Sequence, residues 1–132
     1  MFLQYYVTES TTRNRVNIEI NAATKADLDA TRNGWQTVWN TDFILDPQKE
    51  KYAAKTEDGE IIALGAYRVR KGSVAVYIAY IESQPASNPT LVEHKKYSGI
   101  GKAMIAFGIQ LSIDASCNGV VVFEAKTDDL EQ

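Results

Sequence analysis

A short basic segment with two glycines, Lys96-Tyr97-Ser98-Gly99-Ile100-Gly101-Lys102, lies directly before a long apolar stretch. If that stretch is a helix, the segment forms its N-terminus, where unpaired backbone N–H groups and the positive end of the peptide dipole attract anions. Glycine lets a phosphate approach the backbone closely. Residues 95–112 contain three lysines and no acidic residue. The pattern predicts a phosphate-binding turn, with a flexible glycine loop or glycine required for close helix packing as alternatives.

The segment differs from two other phosphate-binding motifs. A Walker loop needs Gly-Lys-Ser/Thr four residues after a first glycine, and Gly101-Lys102-Ala103 lacks the hydroxyl group that binds the metal ion. The dinucleotide fingerprint needs a third glycine and follows the first strand of a parallel sheet. Nucleoside triphosphate hydrolysis and hydride transfer are therefore disfavoured.

Glu82 is the second group whose position suggests chemistry. It ends the stretch 73–82, in which both alternating faces are largely apolar, as in a central strand covered on both sides. A carboxylate is rarely left unpaired in such a place. The alternative is that Glu82 already lies in solvent at the strand end.

The remaining reactive side chains favour structural roles. His94 is the only histidine, so no histidine-based metal site or catalytic triad can be assembled, and no metal is predicted. Cys117 follows an apolar stretch with no adjacent basic residue, which is typical of a small core residue rather than a nucleophile. Trp35 and Trp39 are expected to anchor the core.

Hydrophobic periodicity predicts the elements that must position these groups. In chain order they are strands over 2–7 and 15–20, a helix over about 25–39, hairpin strands over 52–56 and 60–70, a strand over 73–82, a helix over 99–117 and a strand over 120–123. Asn118-Gly119 closes the second helix in the manner of a left-handed cap. The strand–helix–strand order predicts a right-handed crossover that places 73–82 and 120–126 parallel and adjacent.

Composition predicts one folded domain over residues 1–132. The chain is 45% hydrophobic and 23% charged, as globular proteins are. Its net charge of -3 provides no global positive field for nucleic acid or an anionic membrane. The single cysteine excludes an internal disulfide, no stretch is apolar enough to span a membrane, and the N-terminus lacks a basic leader. We therefore expect a cytoplasmic protein that binds neither nucleic acid nor membrane.

The pattern Lys96-x-x-Gly99-x-Gly101 resembles motif A of the GNAT superfamily of N-acetyltransferases, Arg/Gln-x-x-Gly-x-Gly/Ala between a central strand and a long helix. Residues 77–83 and 123–127 look like the family's fourth and fifth strands, so the resemblance covers about residues 50–127. In particular it looks like a bacterial subgroup in which an Ile-Glu-Ser strand end, a basic glycine loop, a helix containing Ala-Phe and a Glu-Ser/Ala-Lys-Thr strand occur in that order. It implies a mixed α/β (α+β) acyl-CoA N-acyltransferase fold, in which helices flank a mostly antiparallel sheet with splayed parallel fourth and fifth strands.

The resemblance implies a transferase that passes an acetyl group from acetyl-coenzyme A (acetyl-CoA) to an unidentified amine. The turn would bind the pyrophosphate of coenzyme A, and backbone groups at the end of strand 73–82 would pair with the pantetheine arm and polarise the thioester carbonyl. Glu82 is the candidate general base and Tyr97 a weak candidate acid. The implied cofactor-binding residues are Tyr80, Ile81, Glu82, Lys96, Tyr97, Ser98, Gly99, Ile100, Gly101 and Lys102.

The chain departs from the family pattern after residue 127. It stops at Gln132, where family members continue into a fourth helix and two last strands that usually carry the acid tyrosine. Tyr80 and Tyr97 are the nearest phenols, and we expect both mainly in structural roles. An unfinished sheet would expose residues 120–123 as an edge, which predicts a homo-oligomer. Two alternatives stay open: a non-catalytic protein that binds coenzyme A or acts by oligomerising, and a structural protein whose glycine loop binds nothing.

Overall fold

The computed structural model describes residues 4–39 and 47–124. This part of the chain forms seven strands and two α-helices with two short 3-10 turns. In chain order they are β1 (Tyr5–Glu9), β2 (Arg15–Ala22), α1 (Lys25–Asp29), a 3-10 turn (Ala30–Arg32), β3 (Glu50–Thr56), β4 (Ile61–Arg68), β5 (Val76–Ser83), a 3-10 turn (Pro85–Ser87), β6 (Tyr97–Ser98), α2 (Ile100–Asp114) and β7 (Val121–Phe123).

The strands form one mixed sheet in the order β6-β1-β2-β3-β4-β5-β7, so the chain has a mixed α/β fold. All neighbours are antiparallel except β5 and β7, which run parallel with Val76 opposite Val121. A parallel pair needs a long connection, and α2 lies within it. The predicted parallel pairing of 73–82 with 120–126 is confirmed as far as residue 123, and residues 125 and 126 lie outside the described part.

The first helix is much shorter than predicted. Its start is correct, because Thr24 and Asp27 form a reciprocal capping box, with N–H to oxygen distances of 2.9 and 3.1 Å. The predicted helix over 25–39 nevertheless ends at Asp29. The buried Thr31 hydroxyl donates to the carbonyl of Leu28 and accepts from the N–H of Trp39, which folds the chain back. Side-chain hydrogen bonds within residues 28–39 therefore override helical periodicity here.

The remaining predicted elements are confirmed with shifted ends. The strands predicted at 2–7 and 15–20 are β1 and β2, and residues 1–3 lie outside the described part. Gly59 turns the β3–β4 hairpin with a φ of 86°. The second helix ends at Asp114 rather than at 117, because Ser116 already adopts a φ of 62°. Strand β6 is not predicted from the sequence, because its two residues form a strand only by pairing with β1.

The two helical segments contribute to cores on the two faces of the sheet. On one face, the buried Tyr67 donates its hydroxyl to the carbonyl oxygen of Met104 in α2, at 2.8 Å. Gly65 makes this approach possible, since a Cβ there would lie 2.7 Å from the Tyr67 ring. On the other face, Leu28 of α1 packs with Trp39 against the central strands. In residues 4–39 and 47–124, neither helix combines the length and apolar character needed to cross a bilayer.

Candidate functional site

Helix α2 begins at the predicted glycine turn, and its N-terminus is uncapped. Gly99 occupies the N-cap position with a left-handed φ of 87°, a conformation that favours glycine. Within residues 4–39 and 47–124, no side chain caps the first turn by accepting a hydrogen bond from it, and the turn itself contains no acidic residue. The first N–H groups of a helix have no intrahelical acceptor. They are therefore available here to an anion.

The space around the turn is open. A Cβ atom built on Gly99 or on Gly101 would meet nothing within 4 Å. Neither glycine is therefore needed for close packing of helix on strand, which removes one alternative drawn from the sequence. Gly99 is explained by its backbone conformation, whereas nothing in the described part of the chain requires glycine at 101.

A cavity of about 520 Å³ lies beside the turn, between β1 and the first two turns of α2. Ser98, Gly99 and Lys102 form the part of its wall that belongs to the turn, and Tyr5 and Ala106 lie farther along it. Lys102 is exposed and lies at the edge of this partly apolar cavity. Such a site suits a ligand that has both an anionic group and apolar surface.

Lys96 and Tyr97, both predicted to bind the cofactor, contact a residue that the sequence did not single out. The Lys96 ammonium lies 2.9 Å from Glu60 Oε2, and the Tyr97 hydroxyl donates to Glu60 Oε1 at 3.1 Å. Burial would raise the pKa of Glu60, but hydrogen bonds from Gln84, Lys96 and Tyr97 outweigh it and lower the pKa. The charge of Lys96 is thus already paired within the protein. Glu60 directly follows a hairpin turn, and no sequence signal relates it to the glycine turn.

Tyr97 is fixed at both its backbone and its side chain. It is 6% exposed, and its N–H donates to the Ser87 hydroxyl at 3.1 Å. Burial, together with the hydrogen bond to the Glu60 carboxylate, raises the pKa of the Tyr97 phenol. A phenol in this environment gives up its proton less readily than a free tyrosine. The proton it carries is already directed at Glu60.

Glu82 is buried at the end of β5 and is fully engaged in hydrogen bonds. It is 4% exposed, so the expectation of a solvent-exposed strand end is wrong. Its Oε2 accepts from the N–H of Gln36 at 2.7 Å, and its Oε1 accepts from the N–H of Thr37 at 3.3 Å and from Trp39 Nε1 at 2.9 Å. The carboxylate therefore ties the segment after α1 to the sheet.

Tyr80 takes part in the same structure as Glu82. Its hydroxyl accepts a hydrogen bond from the Thr37 hydroxyl at 2.9 Å, and its ring meets Trp39 edge-to-face with 5.4 Å between centroids. The Tyr80 phenol thus packs on the α1 side of the sheet. These two contacts give Tyr80 a structural role, as expected from the sequence.

A β-bulge interrupts the pairing of β5 with β4 in the middle of β5. Ala66 lies opposite Tyr80 but Tyr67 opposite Ile78, so Ala79 is the extra residue of a β-bulge. Bulges bend a strand and are common beside active sites. In the described residues, the pairing of β5 with β7 ends at Ile78, which accepts from the N–H of Glu124 at 3.0 Å.

The register also decides which backbone groups of β5 point toward β7. The N–H of Gln84 donates to the carbonyl of Ile62 in β4. In an antiparallel pair, every second residue directs its N–H and C=O groups toward the partner strand. The backbone groups of Glu82 and Tyr80 therefore face β4 as well. Those of Ile81 point the opposite way. The Ile81 side chain packs against the cluster that contains Ile100, so this part of β5 and the glycine turn adjoin one core.

The predicted site residues therefore fall into three groups. The turn and Ile81 adjoin one core cluster, the side chains of Lys96 and Tyr97 belong to the Glu60 network, and Glu82 belongs to the network after α1. The structure does not bring the two candidate acid–base groups, Glu82 and Tyr97, into one network.

Other reactive side chains take no part in this arrangement. Cys117 is fully buried and its Sγ donates to the carbonyl of Arg70 at 3.4 Å, which confirms it as a core residue. His94 is exposed. Within residues 4–39 and 47–124, no three His, Cys, Asp or Glu side chains are grouped so that they could hold a metal ion.

No protein-family model matches the chain, and no curated protein matches it significantly. The resemblance to the GNAT superfamily therefore stays a prediction. It depends on the residues of the turn, on those of β5 and on the sequence of residues 123–127.

Proposed function

We propose that the chain is an acetyl-CoA-dependent N-acyltransferase domain of the acyl-CoA N-acyltransferase fold. The observation that carries the proposal is the uncapped N-terminus of α2. Gly99 is its N-cap residue, and the space beside Gly101 is unobstructed by the described residues. Successive N–H groups at a helix N-terminus can bind the oxygens of a pyrophosphate. The exposed Lys102 adds a positive charge at the same turn.

Ile81 is the residue of β5 best placed to bind the pantetheine arm. Its backbone groups point away from β4, beyond the Ala79 bulge and beyond the described pairing with β7. An extended ligand with amide groups can add to such an edge as a further strand. Of the three β5 residues expected to bind pantetheine, Ile81 therefore contributes its backbone, while Tyr80 and Glu82 face β4.

Transfer in this site would depend on positioning more than on acid–base side chains. The amine nitrogen attacks the thioester carbonyl carbon, a backbone N–H of β5 donates to the developing oxyanion, and the carbon–sulfur bond breaks. The amine loses its proton to solvent and the thiolate leaves as coenzyme A. Glu82 acts as a positioning residue, because its oxygens already accept three hydrogen bonds.

A non-catalytic coenzyme A-binding protein is the second candidate, and a specific observation favours it. Glu82 and Tyr97 are both held in structural hydrogen bonds, in separate networks. Binding at the turn requires neither side chain. We also propose a homo-oligomer formed through β7, because Val122 and Phe123 are 43% and 58% exposed on this edge strand of the described sheet. A cytoplasmic location stays part of the proposal and agrees with the free thiol of Cys117.

Calorimetric titration with coenzyme A tests the proposal, with Gly101→Ala as the informative variant. A methyl group at residue 101 would lie more than 4 Å from every atom of the described residues that could obstruct it, so the fold should tolerate it. It would occupy the space that a phosphate needs, and losing one charge-assisted contact weakens binding at least about tenfold. The matched control is Gly72→Ala, because Gly72 is also surrounded by open space but has a φ of 74°. That variant should lose stability and keep its affinity.

Two outcomes separate the candidate functions. Release of free thiol from acetyl-CoA across a panel of amines would support the acyltransferase, whereas binding without release would support the non-catalytic protein. If wild-type protein fails to bind coenzyme A at millimolar concentration, both candidates are wrong. Light scattering after size-exclusion chromatography checks the oligomer, and a monomer at all micromolar concentrations would exclude it.

A further inference from the structure

Glu60 connects the end of β5 with the start of the glycine turn. Its Oε2 accepts hydrogen bonds from Gln84 Nε2 and Lys96 Nζ, each at 2.9 Å, and its Oε1 accepts from the Tyr97 hydroxyl at 3.1 Å. Gln84 directly follows β5, whereas Lys96 and Tyr97 lead into the turn. One carboxylate thus holds both ends of the connecting segment 84–97.

The hydrogen bonds close into a ring. The Ser87 hydroxyl donates to Gln84 Oε1 at 2.9 Å and accepts from the N–H of Tyr97 at 3.1 Å, while Gln84 and Tyr97 both donate to Glu60. Ser87 and Gln84 are 2% and 7% exposed. A buried polar network in which each member is satisfied rigidifies its surroundings. The ring therefore fixes the entry of the turn relative to the sheet.

Lys96 lies outside this ring, and its ammonium group contacts it through a charge-assisted hydrogen bond to Glu60 Oε2. Its side chain is 47% exposed and that of Glu60 is 32% exposed, so the pair is accessible to solvent. Glu60, through its hydrogen bond and charge, raises the pKa of Lys96, and Glu9 adds to the negative environment. The charge of Lys96 is therefore compensated before any ligand arrives.

Lys102 differs from Lys96 in this respect. It lines the cavity beside the turn, and within residues 4–39 and 47–124 no carboxylate forms an ion pair with it. It also belongs to the first turn of α2, so its charge lies beside the unpaired N–H groups.

We propose that Glu60 sets the charge of the anion-binding turn by holding Lys96, so that Lys102 is the cation that meets a bound phosphate. This inference rests on the proposed function of the turn. It assigns Glu60 a positioning role in ligand affinity that the sequence pattern does not indicate. The resemblance gives the motif position to Lys96, whereas this inference gives the charged contact with phosphate to Lys102.

Titrations with inorganic pyrophosphate and with coenzyme A, at low and at physiological ionic strength, test the inference. Lys96→Met should change either affinity by less than about twofold, and Lys102→Met should weaken both by at least about threefold. Glu60→Gln frees Lys96 and should strengthen binding about two- to fivefold, with a steeper dependence on salt. The double variant Glu60→Gln/Lys96→Met should lose that gain, which a purely structural effect of Glu60 would not produce.

The outcomes distinguish the inference from the proposed function. If wild-type protein binds neither ligand, the proposed function of the turn is wrong. If wild-type protein binds and Lys96→Met weakens binding as much as Lys102→Met, the inference alone is overturned. The same holds if Glu60→Gln binds no tighter than wild type. Should Glu60→Gln fail to fold, the two lysine variants decide the question, because neither removes a member of the buried ring.

Discussion

Replacing Glu82 with Gln tests whether this carboxylate supports the fold or performs chemistry. The two oxygens of Glu82 accept three N–H groups, from Gln36, Thr37 and Trp39. In either orientation, the amide of Gln turns an NH2 group toward at least one of these donors. An unsatisfied buried donor costs about 1–3 kcal/mol, and the remaining bonds lose the strengthening effect of the charge. We expect Glu82→Gln to lower the free energy of unfolding by about 3 kcal/mol.

Urea denaturation followed by tryptophan fluorescence measures this loss, because Trp39 is fully buried and is itself a donor to Glu82. Thermal denaturation should show a decrease in Tm of roughly 10 °C. The matched control is Glu57→Gln, because Glu57 is exposed in the β3–β4 turn. Its free energy of unfolding should stay within about 0.5 kcal/mol of wild type.

One combination of results would refute this reasoning. Glu82 is a catalytic base if the Glu82→Gln variant binds coenzyme A normally but loses acetyl transfer, while its free energy of unfolding stays within about 0.5 kcal/mol of the wild-type value. A loss of stability with retained transfer in the folded fraction would instead support the positioning role.

Two further substitutions test the helix cap and the packing of the core. Burial would raise the pKa of Asp27, but hydrogen bonds of the cap and from Lys55 outweigh it and lower the pKa. The contribution of Asp27 to stability is therefore complete above about pH 4 and is lost as the pH falls through the pKa of Asp27 in the folded state. We expect Asp27→Asn to lower the free energy of unfolding by about 1–2 kcal/mol at pH 7. In urea titrations this difference from wild type should shrink progressively toward about pH 3. Gly65→Ala would place a Cβ 2.7 Å from the Tyr67 ring and 2.9 Å from Met104 Cε, so calorimetry should show a loss of about 1–3 kcal/mol, and an unchanged Tm would contradict the packing.

Local patterns in the sequence predicted the elements whose cause is local. The capping box at Thr24, the hairpin turn at Gly59 and the turn before α2 each depend on residues within a few positions of one another. The parallel pairing of β5 with β7 followed from the strand–helix–strand order. These features need no knowledge of distant contacts, which is why periodicity and turn residues were sufficient.

Distant contacts decided the features that the sequence missed. The chain after the first helix leaves the helical path partly because Glu82 accepts hydrogen bonds from it, and Glu82 is 43 residues away from Trp39. Strand β6 exists only because Tyr97 and Ser98 pair with β1. Neither feature has a local signature, since hydrogen bonds between remote segments depend on how the sheet brings them together.

The sequence by itself determined that a glycine turn opens the N-terminus of the second helix, because backbone conformation and helix start are local properties. Only the tertiary structure decided which charges are free at that turn. It paired Lys96 with Glu60, left Lys102 beside the cavity and enclosed Glu82 in hydrogen bonds. The physical reason is that the partner of a charge is set by distance in space, which neighbouring residues in the sequence do not specify.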